Sequence, residues 1–294
     1  MSARTSVSLV GLGDMGTALA SAFISNSHPT TVWNRTASRA DTLVARGATL
    51  ASSAAACVSA SELVIVCLLL NDTVREVFSG DTLKAVSGKT IVNLTNGTPS
   101  QAKDMEDLFT SNGAEYLDGG IMATPGLIGT PASFIFYSGS EAGIKRFESP
   151  LAVLGKVDYL GKSIGLAATL DTALLAGMYG AFAGAFQAMA MVRSVGLPVS
   201  KFTEEKLAPF IGNMTGLLLP IAIHVDKGEH PADGGNLAMQ VAAIPNVLNT
   251  AREVGVWDGM LHPITKLMQR RVDHGGANEG LSALVDEMSL EKNE

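Results

Sequence analysis

The chain has 294 residues, enough for two ordinary domains, each with its own core. Hydrophobic residues make up 47% and charged residues 17%, a globular and rather oily composition that excludes a disordered chain. Its 28 acidic against 21 basic residues leave a net charge of −7 with no run of Lys and Arg, which argues against a nucleic-acid partner.

Residues 1–5 are short and polar and lead straight into a strand, so no signal peptide is expected. Cys57 and Cys67 cannot form a disulfide framework, and they read as core thiols of a reducing compartment, so a cytoplasmic protein is expected. The N-x-Ser/Thr triplets at Asn34, Asn71, Asn93, Asn96 and Asn213 mean little without a secretory signal.

Up to about Leu160 short apolar runs alternate with helical patterns, the rhythm of βαβ units around a mostly parallel sheet. Strands are expected at residues 7–10 and 31–33, and a helix from Thr36 should stop at Gly47, a natural left-handed cap. Residues 63–69 form an apolar strand that includes Cys67, followed by the N-cap chemistry of Asn71, Asp72 and Thr73. After a strand at 90–93, Thr98-Pro99-Ser100-Gln101 supplies a cap, a first-turn proline and a capping-box glutamine. Later strands are expected at 116–118, 133–137 (followed by the turn Ser138-Gly139-Ser140) and 157–160.

From Lys162 strand signals vanish, and Ala, Leu, Gly and Met dominate to Val192. Helices are expected at 202–210, 217–226, 236–251, 257–272 and 281–290. The domain boundary falls near Lys162, giving domains 1–162 and 163–294, with no internal repeat. Residues 172–192 carry no charge and include Gly180-x-x-x-Gly184, so a membrane helix is weighed. A single Ala-rich span behind a complete cytosolic-type domain fits the centre of a large domain or dimer better, and no membrane is expected.

The first strand runs into Gly11-Leu12-Gly13-Asp14-Met15-Gly16 and then a helix over 17–24, a G-x-G-x-x-G loop in its proper strand–turn–helix setting. Gly11 permits the tight turn, Gly13 admits a pyrophosphate to the backbone, Gly16 lets helix and strand pack, and the helix start faces the phosphates. The second strand ends in Trp33-Asn34-Arg35-Thr36, with Arg39 one turn on and no acid between Pro29 and Arg39. NAD sites usually hold the ribose hydroxyls with an acid there. Two guanidiniums and a hydroxyl suit a 2′-phosphate, so NADPH/NADP+ is the expected cofactor, although solvated arginines would look the same.

This loop, Asn34-Arg35-Thr36, the stretch Val92-Asn93-Leu94-Thr95-Asn96-Gly97-Thr98 and the stretch Gly119-Gly120-Ile121-Met122-Ala123-Thr124-Pro125 together resemble the β-hydroxyacid dehydrogenase superfamily. More narrowly they resemble its imine reductases, and most of all the fungal reductive aminases. The resemblance covers nearly the whole chain. It implies an α/β fold with an N-terminal Rossmann domain, a long interdomain helix and an all-helical C-terminal domain, interlocked with a second copy as a homodimer.

Hydroxyacid dehydrogenases of the superfamily carry G-x-G-x-x-x-K-x-x-x-N at the start of that helix. Here the matching run begins at Gly165, with Asp171 in place of the lysine and Leu175 in place of the asparagine. An ammonium suits an alcohol oxygen but repels an iminium, whereas a carboxylate attracts the iminium and can exchange a proton with the amine. The resemblance therefore implies NADPH-dependent reduction of imines, including reductive amination of a carbonyl with a small amine. The alternatives are a 3-hydroxyacid dehydrogenase-like oxidoreductase, which lacks its lysine here, and a non-catalytic NADPH-binding protein.

Asp171 could instead be a helix-start acid, but it lies beyond the first turn among Leu170, Ala173, Leu174 and Leu175. Tyr179, eight residues on, is implied as its proton or hydrogen-bond partner, though its spacing equally suits a core aromatic. Asn93 ends a strand at the carboxyl edge and is implied at the nicotinamide ribose or substrate end, a plain turn residue being the alternative. Leu69 joins the cofactor set. Met122, Leu175 and Met178 join the substrate set, with Phe210, Met214, Met239 and Gln240 matching pocket positions of the reductive aminases. Met and Phe at helical spacing are more often core, and Phe210 stands where some relatives carry tryptophan. The His224, Asp226, Glu229, His230 cluster has the wrong spacing for a metal on one helix face, and none is expected.

Overall fold

The computed structural model describes residues 4–289, which divide into two compact units, one ending at Ala176 and the other starting at Gly177. The first unit is built on eight strands: β1 (Val7–Val10), β2 (Thr30–Trp33), β3 (Thr49–Leu50), β4 (Leu63–Val66), β5 (Thr90–Asn93), β6 (Glu115–Met122), β7 (Phe134–Gly139) and β8 (Lys156–Tyr159). Their order across the sheet is β3-β2-β1-β4-β5-β6-β7-β8, all parallel except the β6–β7 pair. β1 has β2 on one side and β4 on the other, so the winding reverses beside it and opens a crevice at the strands' carboxyl ends.

Period-two alternation sorts the strand side chains onto two faces. Val7, Leu9, Ile65, Val92 and Leu117 build one buried layer with Leu19 and Phe23 of the first helix, α1 (Asp14–Ser25). Val10, Val64, Val66, Ile91 and Tyr116 build the other with Cys57, Phe78 and Phe109. Both faces are thus covered, as a parallel sheet requires.

The later helices of this unit are α2 (Asp41–Val44), α3 (Ala54–Ser59), α4 (Asn71–Val77), α5 (Gly80–Lys84), α6 (Pro99–Thr110) and α7 (Glu141–Leu151). The expected helix between Thr36 and Gly47 is a 3-10 turn, Ala37–Ala40, running into α2, and Gly47 has φ +102°. The capping box at α6 forms as expected: Thr98 Oγ1 accepts from Gln101 N at 3.3 Å, and Gln101 Oε1 accepts from Thr98 N at 3.0 Å.

Four expectations are corrected. The strand expected over 63–69 stops at Val66, because β1 turns away at Gly11, whose N–H goes to the Trp33 carbonyl, and Leu68 N donates to Thr95 Oγ1 instead of a ladder. Asn71 does not cap α4; Leu70 occupies the cap, and the buried Asn71 amide serves Asn93. β6 runs well past Asp118 because the antiparallel partner β7 continues its ladder, and Ser138 and Gly139 remain in β7 instead of turning. β3 has no counterpart in the expected strands; its two residues are exposed at the sheet edge.

The long helix α8 (Leu166–Ser194) starts in the first unit. Among the described residues from Gly177 on there is no strand. The expected helix over 202–210 is broken into Val199–Phe202, a π turn Thr203–Leu207 and Ala208–Thr215. Leu218–Lys227 ends at Gly228 in the left-handed region, and Asn236 caps Leu237–Glu253 by accepting from Met239 N at 2.9 Å. His262–Arg271 follows, and the region expected as a helix over 281–290 is a 3-10 turn, Leu281–Ala283, and a short helix, Leu284–Glu287; Leu290 lies outside the described residues. A small core of Leu237, Met268, Ala283 and Leu284 holds these together. Two helical stretches, Leu166–Ser194 and Val199–Lys227, are long and apolar enough to cross a membrane by length and composition.

Candidate active site

The phosphate loop is shaped by close contacts that only glycine allows. Gly11 has φ +104°, and a Cβ there would lie 2.2 Å from the Cys67 carbonyl oxygen. A Cβ on Gly16 would lie 2.1 Å from the Gly11 carbonyl oxygen, so α1 can start only if this position is bare. Gly13 differs: nothing lies within 4 Å of where its Cβ would be, which leaves its backbone open to a ligand. The first residues of α1, Asp14, Met15 and Gly16, line the same space, where a helix start leaves N–H groups without intrahelical partners.

The loop is tied to the end of β2 by side chains. Asn34 Oδ1 accepts from Leu12 N at 3.0 Å, Asn34 Nδ2 donates to the Thr36 carbonyl at 3.0 Å, and Arg39 donates to the Leu12 carbonyl at 3.4 Å. The result is a cleft of about 480 Å³. Residues Gly11 to Gly16, with Asn34, Arg35, Thr36, Arg39 and Leu69, all line it, so eleven expected cofactor positions converge there. Trp33, Cys67, Leu68, Thr73, Glu76 and Val77 complete the wall, none of them among the expected cofactor positions. Among the described residues neither Arg35 nor Arg39 has a carboxylate partner, so both guanidiniums are available to an anion.

Asn93 does not line this cleft. Its side chain is fully buried, with Nδ2 donating to Asn71 Oδ1 at 2.9 Å and to the Tyr116 hydroxyl at 3.2 Å, while Oδ1 accepts from Thr95 N at 3.1 Å. The ligand contact expected of Asn93 would use this amide only once it leaves Asn71 or Tyr116. In this geometry Asn93 shapes the turn that presents Thr95 and Asn96.

Asn96 donates to Asp171 Oδ2 at 2.7 Å and fixes the carboxylate. Asp171 is only 5% exposed, on the face of α8 that meets β6. A Cβ on Gly120 would stand 2.6 Å from Asp171 Cβ, so the bare strand position is what seats the acid. Burial raises the Asp171 pKa above the usual carboxylate range, and the Asn96 bond opposes that rise. Among the described residues no cation pairs with it. The start of α8 is pinned by Ala167 N donating to Ser138 Oγ at 3.2 Å. Asn96 stood within a motif that the sequence singled out, but its bond to a residue 75 positions away had no local signal.

Met122 is half-buried at the end of β6, and Leu175 is half-buried on α8. Farther along that helix, Met178 is exposed and Tyr179 is 65% exposed. In the second unit, Phe210 and Met214 lie one turn apart on Ala208–Thr215, both exposed, and Met239 and Gln240 sit in the first turn of Leu237–Glu253. The histidines of the set-aside cluster pair within the protein: His224 approaches Asp233 at 3.5 Å, and His230 bonds Ser282 and Asp286 at 3.0 and 2.9 Å. Among the described residues no group of His, Cys, Asp and Glu could hold a metal. Burial pushes the Cys57 thiol up to about 12 and the Cys67 thiol up to about 11, which leaves both inert.

Residues 6–163 match the NAD binding domain of 6-phosphogluconate dehydrogenase, and residues 163–289 match the NADPH-dependent reductive aminase-like C-terminal domain. The chain is 42% identical over 291 residues to an NADPH-dependent reductive aminase of Aspergillus oryzae, covering 98% of each. Among solved structures it is similar to a reductive aminase from Aspergillus terreus in complex with NADPH and ethyl-5-oxohexanoate. That likeness has 44% identity and a TM-score of 0.91, over 97% of this chain and 100% of the other. An imine reductase from Myxococcus stipitatus in complex with NADP+ is similar at 30% identity and a TM-score of 0.92, over 97% and 100%.

Proposed function

The chain belongs to the NADPH-dependent reductive aminases, and from that membership we propose that it reduces imines and iminium ions to amines, including those formed from a ketone or aldehyde and a small amine. The observation that carries this reading is Asp171, a buried carboxylate without a cation partner among the described residues, held by Asn96. A lone buried anion is costly unless something positive reaches it. An iminium nitrogen is such a group, and a neutral hydroxyacid alcohol is not.

The cleft fits NADPH. Gly13 leaves room for the pyrophosphate against its backbone, and Arg35 and Arg39, without a carboxylate partner among the described residues, flank Thr36 where a 2′-phosphate would be bound. When bound, the dinucleotide supplies a hydride for the C=N carbon. Asp171 attracts the cationic nitrogen and accepts or returns a proton there, while Tyr179 is its proposed hydrogen-bonding partner. Met122, Leu175, Met178, Phe210, Met214, Met239 and Gln240 are the proposed lining for the carbonyl and amine portions. Residues 1–162 supply the cofactor domain, and 163–294 the interdomain helix and helical substrate domain.

The protein is proposed to act as an interlocked cytoplasmic homodimer. Support comes from the second unit, where Phe186, Leu219 and Trp257 are 61%, 70% and 70% exposed in the single chain. Covering such a surface is what an obligate partner does.

The test follows NADPH absorbance with a cyclic ketone and a small primary amine, together and separately. Oxidation should require both. Asp171→Ala should then lower kcat at least 100-fold, about 3 kcal/mol of transition-state stabilisation, with NADPH affinity kept. Turnover of that variant at the wild-type rate would remove Asp171 from the mechanism.

A further inference from the structure

A second carboxylate lies beside the first. Asp118 is on β6, two residues before Gly120, so both face the same side of the strand. Gly120 is where Asp171 Cβ rests, with the Ala167 carbonyl, one turn before Asp171 on α8, against the same strand position. Asp118 is 95% buried, and its Oδ2 has no hydrogen-bond partner among the described residues.

Among the described residues the groups around it offer no positive charge. On its own strand, two residues earlier, stands Tyr116, whose hydroxyl accepts from Asn93; opposite it on β5 and β7 stand Asn93 and Ser138; from α8 comes Asp171. Glu106 acts on Tyr116 from α6 and adds a further negative charge to the neighbourhood. Two carboxylates in one buried site without a cation do not both ionise readily.

We propose that Asp118 is a positioning residue for Asp171: the two carboxyls carry one negative charge between them, with the proton held on Asp118 and the charge kept on Asp171 beside Asn96. An orphaned Oδ2 is costly as an anion and much less so as a protonated hydroxyl. Burial pushes Asp118 up to about 7, the Asp171 charge adds to this, and the Ala168 N–H and Tyr116 hydroxyl oppose it. Asp171, bonded by Asn96, is the one left ionised. The proposal rests on Asp171 meeting the reacting nitrogen, but the pairing itself can be tested without substrate.

The experiment measures thermal unfolding of the full chain and of Asp118→Asn from pH 4 to 9. A carboxyl that keeps its proton to about 7 when folded, but loses it near 3.8 when unfolded, favours the fold fully below pH 3.8. That contribution disappears as pH rises through about 7. Asparagine cannot titrate, so the wild-type Tm minus the variant Tm should fall by several degrees between about pH 4 and 7 and level off above it. A constant offset across the whole range means a packing role only and overturns the proposal.

Asp171→Asn, made alone and with Asp118→Asn, tests the coupling. Without the neighbouring charge the levelling point should move to lower pH, and an unmoved point overturns the shared charge. Should Asp118→Asn not fold, Tyr116→Phe removes a donor to the Asp118 anion and keeps both acids. Its levelling point should then lie above that of wild type, and an unchanged one overturns the proposal. None of these melts uses an imine, so their failure leaves imine reduction standing, and failure of that reading shows only in the NADPH assay.

Discussion

The sheet-built unit and the helical unit solve the burial problem differently. In the first, Tyr116, Phe23, Phe78 and Phe109 are fully buried, and helices cover both faces of the sheet. In the second, the buried cluster among the described residues is small, Leu237, Met268, Ala283 and Leu284, while Phe182, Phe186, Leu218 and Leu219 remain open to solvent in the single chain. The first region is self-sufficient and presents a cofactor cleft with its shape already set. The second leaves large apolar side chains uncovered in the single chain, which is what the proposed assembly would bury.

Three substitutions test that contrast. The largest effect is expected from Phe186→Glu on α8, which would place an unpaired charge in the proposed subunit contact at a cost of about 3–5 kcal/mol. Sedimentation at micromolar concentration should show monomers, with imine reduction lost; a dimer of unchanged affinity would mean that the open face is covered in some other way. An intermediate effect is expected in the self-sufficient unit. Arg35→Ala should weaken NADPH binding by roughly 10- to 100-fold, from loss of about 1.5–3 kcal/mol of charge-assisted bonding, and should barely alter NADH binding. Titration of both dinucleotides by fluorescence separates these, and equal losses would remove Arg35 from 2′-phosphate recognition. The smallest effect is expected from Thr98→Ala, which opens the capping box of α6 and should cost about 1 kcal/mol in chemical denaturation with dimer affinity unchanged.

Much of the first unit was legible because its signals are local. The glycine loop, the Thr98 box and the Gly47 stop each lie within a few residues of the structure they dictate. What was hidden depended on partners far along the chain. The length of β6 comes from β7, which no property of residues 116–118 announces. Asn71 carries the same amide whether it caps a helix or buries itself against Asn93, and cap chemistry was the local reading. Asp118 lay in plain view inside an expected strand, yet its neighbour Asp171 enters from a helix more than fifty residues later. Asp171 itself was readable as an acid in an apolar run, because its cost is visible before its partner is known. The broken helices between Val199 and Thr215 were not, since a π turn differs from an α turn in the span of its hydrogen bonds, five residues instead of four, and not in composition.

The division of labour at the end of β2 has an evolutionary consequence. Asn34 spends its amide on Leu12 and Thr36, so it maintains the architecture of the loop, while Arg35 and Thr36 line the cleft and carry the proposed 2′-phosphate recognition. A lineage could therefore drift from one dinucleotide to the other by changing those two neighbours, with the scaffold that grips the diphosphate untouched. Asn34 itself has no such latitude, because replacing it would loosen the grip on either coenzyme.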